Sequence, residues 1–396
     1  MRYESVPLAD VAPVKQSKKK IDPNDNVWNI TLDQIESNSG FIGDKQFIAL
    51  SSAPLSTNLV DENNVLYSKL RPYLNKAIIP DTVGVATTEL VPLFPDKEKL
   101  HNKYLLYYLR SDFFVKWVSE KVSGAKMPRV VMREFWDHKI PLPPLETQKR
   151  IVDLLDRAQE LIDKRKEQIA LMDQLIQSLF YDMFGDPVSN PMGWETIKVS
   201  DCIVGKANNG FFGKKDVYTD SGNAGVVWIG DFINKFYCNT SPTRKIEASE
   251  KELKQYSIYY GDILFCRSSL NVEGIGKTAC VPESDKHLLF ECHIIKATLN
   301  TKLVVPEFFK VFSDTKFFRS QVMGNAKTAT MTTISQDGIL KCSLFLPPVQ
   351  QQQIFFDRIR MIRVQSQAMT HSLKELEDNF NSLIQRAFKG DLYNCI

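Results

Sequence analysis

The sequence predicts an α+β fold in which two similar globular arms of mixed α/β content are separated by two long helices. The helices are expected to pair as an antiparallel coiled coil, giving the chain a pseudo-twofold internal repeat. Three observations predict it. From residue 104 to 184 the chain matches itself, without a gap, at positions 204 further on. Each copy carries a Pro-Pro pair followed by about 40 residues free of Pro and Gly. Those runs place apolar residues at alternating steps of four and three.

The repeat is carried by particular residues. Tyr104-Leu-Leu-Tyr-Tyr-Leu109 and Phe113-Phe114 lie over Phe308-Phe-Lys-Val-Phe312 and Phe317-Phe318, and Ala125-Lys-Met127 lies over Ala329-Thr-Met331. Leu142-Pro143-Pro144 lies over Leu346-Pro347-Pro348, Gln148 over Gln352 and Phe184 over Phe388. Upstream the likeness is looser: Leu66-Tyr-Ser-Lys-Leu-Arg71 against Leu264-Phe-Cys-Arg-Ser-Ser269, and Tyr3-Glu-Ser-Val6 against Trp194-Glu-Thr-Ile197. Chance similarity of two amphipathic helices is the competing reading, and the coincidence of Pro-Pro starts with Phe ends argues against it. The expected organisation is a first arm at 1–142, a first helical spacer at 143–186, a second arm at 187–346, a second spacer at 347–391 and a tail at 392–396.

Proline at the first turn and glycine beyond the last are helix punctuation, and Gly185 and Gly390 supply the stops. A helix of this length reaches roughly 60 Å. Its seam reads Ile151, Leu155, Ala158, Ile162, Arg165, Ile169, Met172, Ile176, Leu179 and Met183 in the first copy. The second reads Phe355, Ile359, Ile362, Ser366, Met369, Leu373, Leu376, Phe380, Leu383 and Ala387. Pairing position 144 with 388 makes partner numbers sum to 532 and sets Arg165 beside Gln367, next to Ser366. The two polar exceptions, Arg165 and Ser366, are thus expected to share one layer and fix register. The alternative is that Arg165 leans into solvent and Ser366 is a tolerated small residue.

The arms mix short β-rich runs, such as Gly261-Asp-Ile-Leu-Phe-Cys-Arg267 and Ala77-Ile-Ile-Pro80, with turn signals and a helix near each end. Basic and amide side chains cluster with aromatics at equivalent places. They are Ser68, Lys69, Arg71, Asn75 and Lys76 in the first arm, and Arg267, Ser268, Ser269, Asn271 and Lys277 in the second. Lys126, Arg129, Lys327 and Thr328 form a further strip. Arg and Lys donate to phosphates and guanine edges, and Asn brackets adenine, so DNA contact is the favoured reading. Solvated loop residues are the alternative, and the Lys18-Lys19-Lys20 run is read that way.

Composition narrows the function class. The 396 residues carry 50 Lys+Arg against 47 Asp+Glu, a balance that neither demands nor excludes nucleic acid. All seven cysteines lie in the second half without Cys-x-x-Cys spacing, which favours reduced thiols and a cytoplasmic protein. No signal core or membrane span is evident, so no membrane partner is expected. Gly274-Ile-Gly276-Lys277-Thr278 resembles the end of a phosphate loop, but Asn271 stands where its first glycine belongs. Asn190-Pro191-Met192 lacks the second proline and aromatic of an adenine-methyltransferase motif. Pro282-Glu-Ser-Asp285-Lys286 has only the flavour of a nuclease motif, and the five histidines show no ligand spacing with one another or with cysteine. No catalytic, cofactor or metal residue is therefore assigned.

These residues resemble the specificity subunits of type I restriction-modification systems. The Leu142-Pro-Pro-Leu145-Glu-Thr-Gln148-Lys-Arg-Ile-Val152 start, the Ser178-Leu-Phe-Tyr-Asp-Met-Phe-Gly-Asp-Pro187 exit and their second copies are similar to that family's two shared helical regions. Phe388-Lys-Gly-Asp-Leu392 is similar to its terminal signature. Thr147 and Gln351 depart from the family's frequent Glu. The resemblance implies two target recognition domains, each reading one half of a split asymmetric DNA site, with the helices as a ruler. It implies double-stranded DNA, two methyltransferase (modification) subunits and restriction subunits as partners, with S-adenosylmethionine, ATP and Mg held by those partners and no catalysis in this chain. A coiled-coil adaptor whose arms bind proteins, or an autonomous nuclease or methyltransferase, are the competing classes.

Overall fold

In the computed structural model the described residues are 3–38, 40, 42–328 and 331–391. Ala329 and Thr330, part of the match to Ala125-Lys126, and the tail from Leu392 lie outside them. The chain divides into two compact units, one of residues 1–167 and 369–396, the other of residues 168–368. These units do not follow the expected division into arms and spacers. Each takes one arm together with the start of one long helix and the end of the other.

In the first unit, Asn26–Ile30 pairs in parallel with Gly84–Ala86 inside a four-stranded sheet. Val65–Ser68 is the middle strand of an antiparallel three-stranded sheet with Ala77–Ile78 and Leu90–Leu93. Helices Asn102–Arg110 and Asp112–Ser119 cover it, and Ser5–Pro7 closes the arm against Lys139–Pro141. In the second unit, Ala224–Val227 pairs in parallel with Leu288–Phe290, and Asp262–Cys266 pairs with Ile294–Thr298. Helices Pro306–Ser313 and Lys316–Asn325 follow, and Glu195–Lys198 closes against Ser343–Leu346. Elements beginning at Asn102, Asp112, Lys139 and Leu145 have counterparts beginning at Pro306, Lys316, Ser343 and Val349, each 204 later. The correspondence reaches further upstream than sequence likeness shows it, since Ser68 faces Leu90 as Cys266 faces Ile294.

The long helices run Leu145–Phe184 and Val349–Lys389. Gly185 and Gly390 come directly after them with φ of 79° and 90°, the left-handed conformation that ends a helix without a Cβ penalty. No residue of either expected seam is exposed. In the first unit, Ile151, Val152 and Leu155 share a core with Ile384, Ala387 and Phe388, and further along Lys166 pairs with Glu377 at 3.2 Å. In the second unit, the Phe180 and Phe184 rings meet Phe355 at 5.9 and 5.3 Å, and Asp173 pairs with Arg363 at 3.4 Å. Within each unit, advancing along one helix therefore means retreating along the other.

The register differs from the expected sum of 532, which would have put Ser366 beside Lys166 and Ile359 beside Asp173. Both observed partners lie further toward the second helix's C-terminus. The cause is that the first turn of each helix is taken up by its arm, so the end of the other helix packs at the second turn, where Ile151 and Phe355 stand. Arg165 is half-buried in the first unit, and Ser366 is 8% exposed in the second.

That first turn is held by one buried amide. Gln148 is fully buried; its Oε1 accepts from the His101 N–H at 2.8 Å, and its Nε2 donates to the Lys99 and Pro143 carbonyls, both at 2.8 Å. Gln352 repeats the arrangement, accepting from the Val305 N–H at 2.9 Å and donating to the Leu303 and Pro347 carbonyls at 2.9 and 2.8 Å. Every partner is displaced by the same 204 residues. Only a side chain with one acceptor and two donors in a plane satisfies the three groups. Among the described residues no helix is long and apolar enough to cross a membrane.

Replacing Gln148 with Ala strands one buried N–H and two carbonyls, each costing about 1–3 kcal/mol. Glu in its place faces two carbonyl oxygens and does not restore the bonds. The urea midpoint, followed by circular dichroism, is expected to fall for Q148A and Q352A and to stay low for Q148E; an unchanged Q148A midpoint contradicts the assignment.

Candidate nucleic-acid interface

In the first arm two separate stretches of sequence come together beyond the end of Val65–Ser68. The Lys69 N–H donates to the Glu89 carbonyl at 3.0 Å and the Lys69 carbonyl accepts from Val130 N–H at 2.9 Å. The Arg71 N–H then donates to the Pro128 carbonyl at 2.8 Å, so the Lys69–Lys76 and Lys126–Arg129 stretches form one surface. Arg71 and Asn75 hold φ of 50° and 51°, and between them Pro72–Leu74 makes a single 3₁₀ turn. This tight turn leaves Arg71 exposed and Tyr73 half uncovered. Lys126 and Met127 are exposed beside them.

Not every expected contact residue faces outward. Ser68 is 2% exposed and donates to the Leu70 carbonyl at 2.9 Å; Asn75 is 7% exposed and donates to the Arg110 carbonyl at 3.0 Å. The Lys76 ammonium is tied to the Leu32 carbonyl at 2.6 Å. These three close the turn rather than offering free donors, because their short distance from the sheet end puts backbone carbonyls within reach. Arg129 is exposed but bonded through Nη2 and Nε to the Glu89 carboxylate, at 2.9 and 3.1 Å to its Oε1. Glu89 holds the guanidinium strongly in its charged form.

The second arm repeats the backbone and changes the side chains. Arg267 N–H donates to the His293 carbonyl at 2.8 Å and the Arg267 carbonyl accepts from Ile334 N–H at 2.9 Å, the counterparts of the two Lys69 bonds. Ser268–Ser269, Thr332–Thr333 and Lys327–Thr328 form a small three-stranded ribbon, in that order. Lys327, Thr328 and Asn271 are exposed, and the Asn271 Oδ1 accepts from the Glu273 N–H at 3.0 Å. Ser268 is 6% exposed and bonded to His293 Nδ1 at 2.7 Å, while Ser269 Oγ accepts from the Asn271 N–H at 3.1 Å, so both serve the loop. Arg267 donates to the Cys292 carbonyl at 3.1 Å, and Lys277 to Asn234 Oδ1 at 2.5 Å. Thr278, the last residue of the phosphate-loop likeness, is buried against Ser313 Oγ at 2.5 Å.

Sequence reasoning missed Glu89 and His293, which occupy equivalent positions 204 apart and bond the Arg129 and Ser268 side chains beside each loop. Extending the offset upstream of residue 104 is the signal that finds them. It also passed over a turn where the ligand atoms of Glu291, Cys292 and His293 lie within 4.8 Å of one another, a group able to hold a metal ion, because adjacent residues show no motif spacing. Glu291 Oε2 there accepts from the His293 N–H at 2.9 Å and from the Cys292 thiol at 3.6 Å. Those bonds make it the clasp of the turn. Burial and the Glu291 charge push the Cys292 thiol up, away from the thiolate that binds metals best.

Residues 2–171 match the family model described as type I restriction modification DNA specificity domain. Over 317 residues the chain is 23% identical to the type I restriction enzyme EcoKI specificity subunit of Escherichia coli (strain K12), covering 76% of this chain and 67% of that one. Over 307 residues it is 22% identical to the StySPI specificity subunit of Salmonella potsdam, covering 73% and 65%. In fold it is similar, at a TM-score of 0.58 and 19% identity over 99% and 98% of the chains, to a chain of a type I restriction-modification system solved for its complex assembly and conformational transition. The type I restriction-modification S subunit from M. genitalium aligns at a TM-score of 0.52 and 12% identity, over 98% and 96%.

The exposed cations separate from the engaged ones in a salt titration of DNA binding. R71A, K126A and K327A are each expected to weaken binding and lower the slope of log affinity against log salt by about one. E89Q releases Arg129 and is expected to strengthen binding and steepen that slope, an outcome a purely structural Arg129–Glu89 pair does not give.

Proposed function

We propose that this chain, which belongs to the type I restriction-modification DNA specificity family, reads a bipartite asymmetric site on double-stranded DNA, one target recognition domain to each half. It does no chemistry itself in this reading. Two methyltransferase subunits and the restriction subunits bring S-adenosylmethionine, ATP and Mg, and the flipped adenine belongs to the methyltransferases' sites. The complex acts in the cytoplasm.

One observation carries the reading. Two arms share a backbone frame down to the bonds of Lys69 and Arg267, yet present different side chains at the loop it supports. Identical frames with unlike tips suit two half-sites of unlike sequence. The repeated amide lock roots each arm on the start of one helix, which suits an antiparallel coiled coil used as a ruler, with Arg165 and Ser366 as the polar positions of its two seams. Duplicated reading heads on such a spacer would dock about one DNA turn, or 10 bp, apart. Leu171, Leu175, Met361 and Val364 leave apolar side chains exposed on the helices, and these supply a surface for the methyltransferase subunits.

Methylome sequencing of cells carrying the chain with its methyltransferase subunit tests this. Exchanging residues 1–142 for another arm is expected to change one half-site and keep the other. Inserting one heptad into each long helix is expected to change the unread gap and keep both half-sites. Altered half-sites with an unchanged gap refute the ruler, and unchanged specificity after the exchange refutes independent arms.

A further inference from the structure

The four-stranded sheet of the second arm runs in the order Asn208–Asn209, Ile294–Thr298, Asp262–Cys266, Thr278–Cys280, with every neighbour antiparallel. Antiparallel order brings to one end of the sheet the loop after Asn209, the turn before Ile294 and the loop after Cys266. The second and third carry His293, Arg267 and Asn271. The first carries Gly210-Phe211-Phe212-Gly213-Lys214.

The root of that loop is fixed. Phe211 N–H donates to the Phe290 carbonyl at 2.7 Å, and the Phe211 ring packs edge-on to Tyr256 at 5.9 Å. A Cβ at Gly210 would stand 2.2 and 2.3 Å from the Phe290 and Glu291 carbonyl oxygens, so only glycine permits this approach. With Phe211 buried inward, Phe212 points away and is 76% exposed, more than any other aromatic side chain among the described residues. Exposed Lys214 stands two residues beyond it.

We propose that Phe212 is an apolar wedge of the second arm, entering a base step of duplex DNA while Lys214 holds a flanking phosphate. Proteins that kink DNA insert single Phe, Leu or Met side chains in this way, and partial unstacking of the step is the signature. With Leu270 at 83% exposure in the loop after Cys266, the ring on its anchored stalk gives this end of the sheet only a few apolar side chains, a smaller patch than the several hundred Å² a protein partner needs. The acidic residues of these three segments, Asp216, Asp220, Glu273 and the buried Glu291, equal their cations Lys214, Lys215, Arg267 and Lys277 in number. The inference rests on the DNA-reading function proposed above and adds to it a contact that reads the deformability of a step rather than its edge.

The test uses the full chain and 30-bp duplexes enriched by the wild-type chain from a randomised pool, with 2-aminopurine placed in turn at each position of the enriched site. Wild-type chain is expected to raise the fluorescence at one step in the half read by this arm. F212A is expected to abolish that rise and to weaken binding on the order of tenfold, with the salt slope unchanged; F212L and F212W retain the rise. K214A is expected to keep the rise and lower the slope by about one. No enhanced step with wild-type chain, or an F212A variant that binds and unstacks like wild type, overturns the wedge. Failure of wild-type chain to enrich any sequence overturns the DNA-reading function itself.

Discussion

Each long helix begins on a glutamine that no other residue can replace in kind. The arm segment passing the helix leaves an N–H and a carbonyl to be satisfied, at His101 and Lys99 or Val305 and Leu303, and the Pro-Pro turn leaves a carbonyl at Pro143 or Pro347. Gln148 and Gln352 answer both demands at once, joining the arm segment at Lys99–His101 or Leu303–Val305 to the Pro-Pro turn that launches the helix. The direction of the helix relative to its arm is set there. The remaining turns, with their seam and the ion pairs Lys166–Glu377 and Arg363–Asp173, inherit that direction.

Above this shared foundation the arms diverge where divergence has little structural cost. The strand pairs Val65–Ser68 with Leu90–Leu93, and Asp262–Cys266 with Ile294–Thr298, keep one register in both arms. Beyond the last pair, Glu89 engages Arg129 in one arm, while His293 engages Ser268 in the other. A carboxylate that neutralises an arginine and an imidazole that bonds a serine give the two loops very different surroundings. The loop after Arg267 is held from below by Arg319, which donates to the Ile275 and Glu273 carbonyls at 2.5 and 2.9 Å. Side chains at the tip therefore vary without loosening the loop.

The long helices were legible because their evidence is periodic and repeated: a seam, a proline start, a glycine stop, all written twice. Their register was not, because counting from flush ends ignores the turn given over to Gln148 and Gln352. Among the candidate contacts, Arg71, Lys126, Lys327 and Thr328 stand exposed as expected, whereas Ser68, Asn75 and Ser268 turned inward. Composition marks a loop as able to contact DNA, but a short polar side chain close to a sheet end finds a partner within the arm first, a backbone carbonyl for Ser68 and Asn75 and the His293 ring for Ser268. Glu89, His293 and Phe212 were not legible for a different reason: their roles depend on which strand ends the topology gathers, and the short strands of the arms diverge in side chain where they keep the same backbone pairing.

The first unit is completed by the far end of the chain. Phe388 sets its ring against Tyr104, Tyr108 and Phe113 at 5.1, 5.2 and 6.1 Å, and Ile384 and Ala387 fill the same core. The arm that leaves the ribosome first thus waits, with an aromatic cleft open, through the synthesis of more than 200 residues. Until residues 384–388 are made, the rings of Tyr104, Tyr108 and Phe113 lack the side chains that cover them, and a partly folded chain exposing such apolar surface is prone to aggregate.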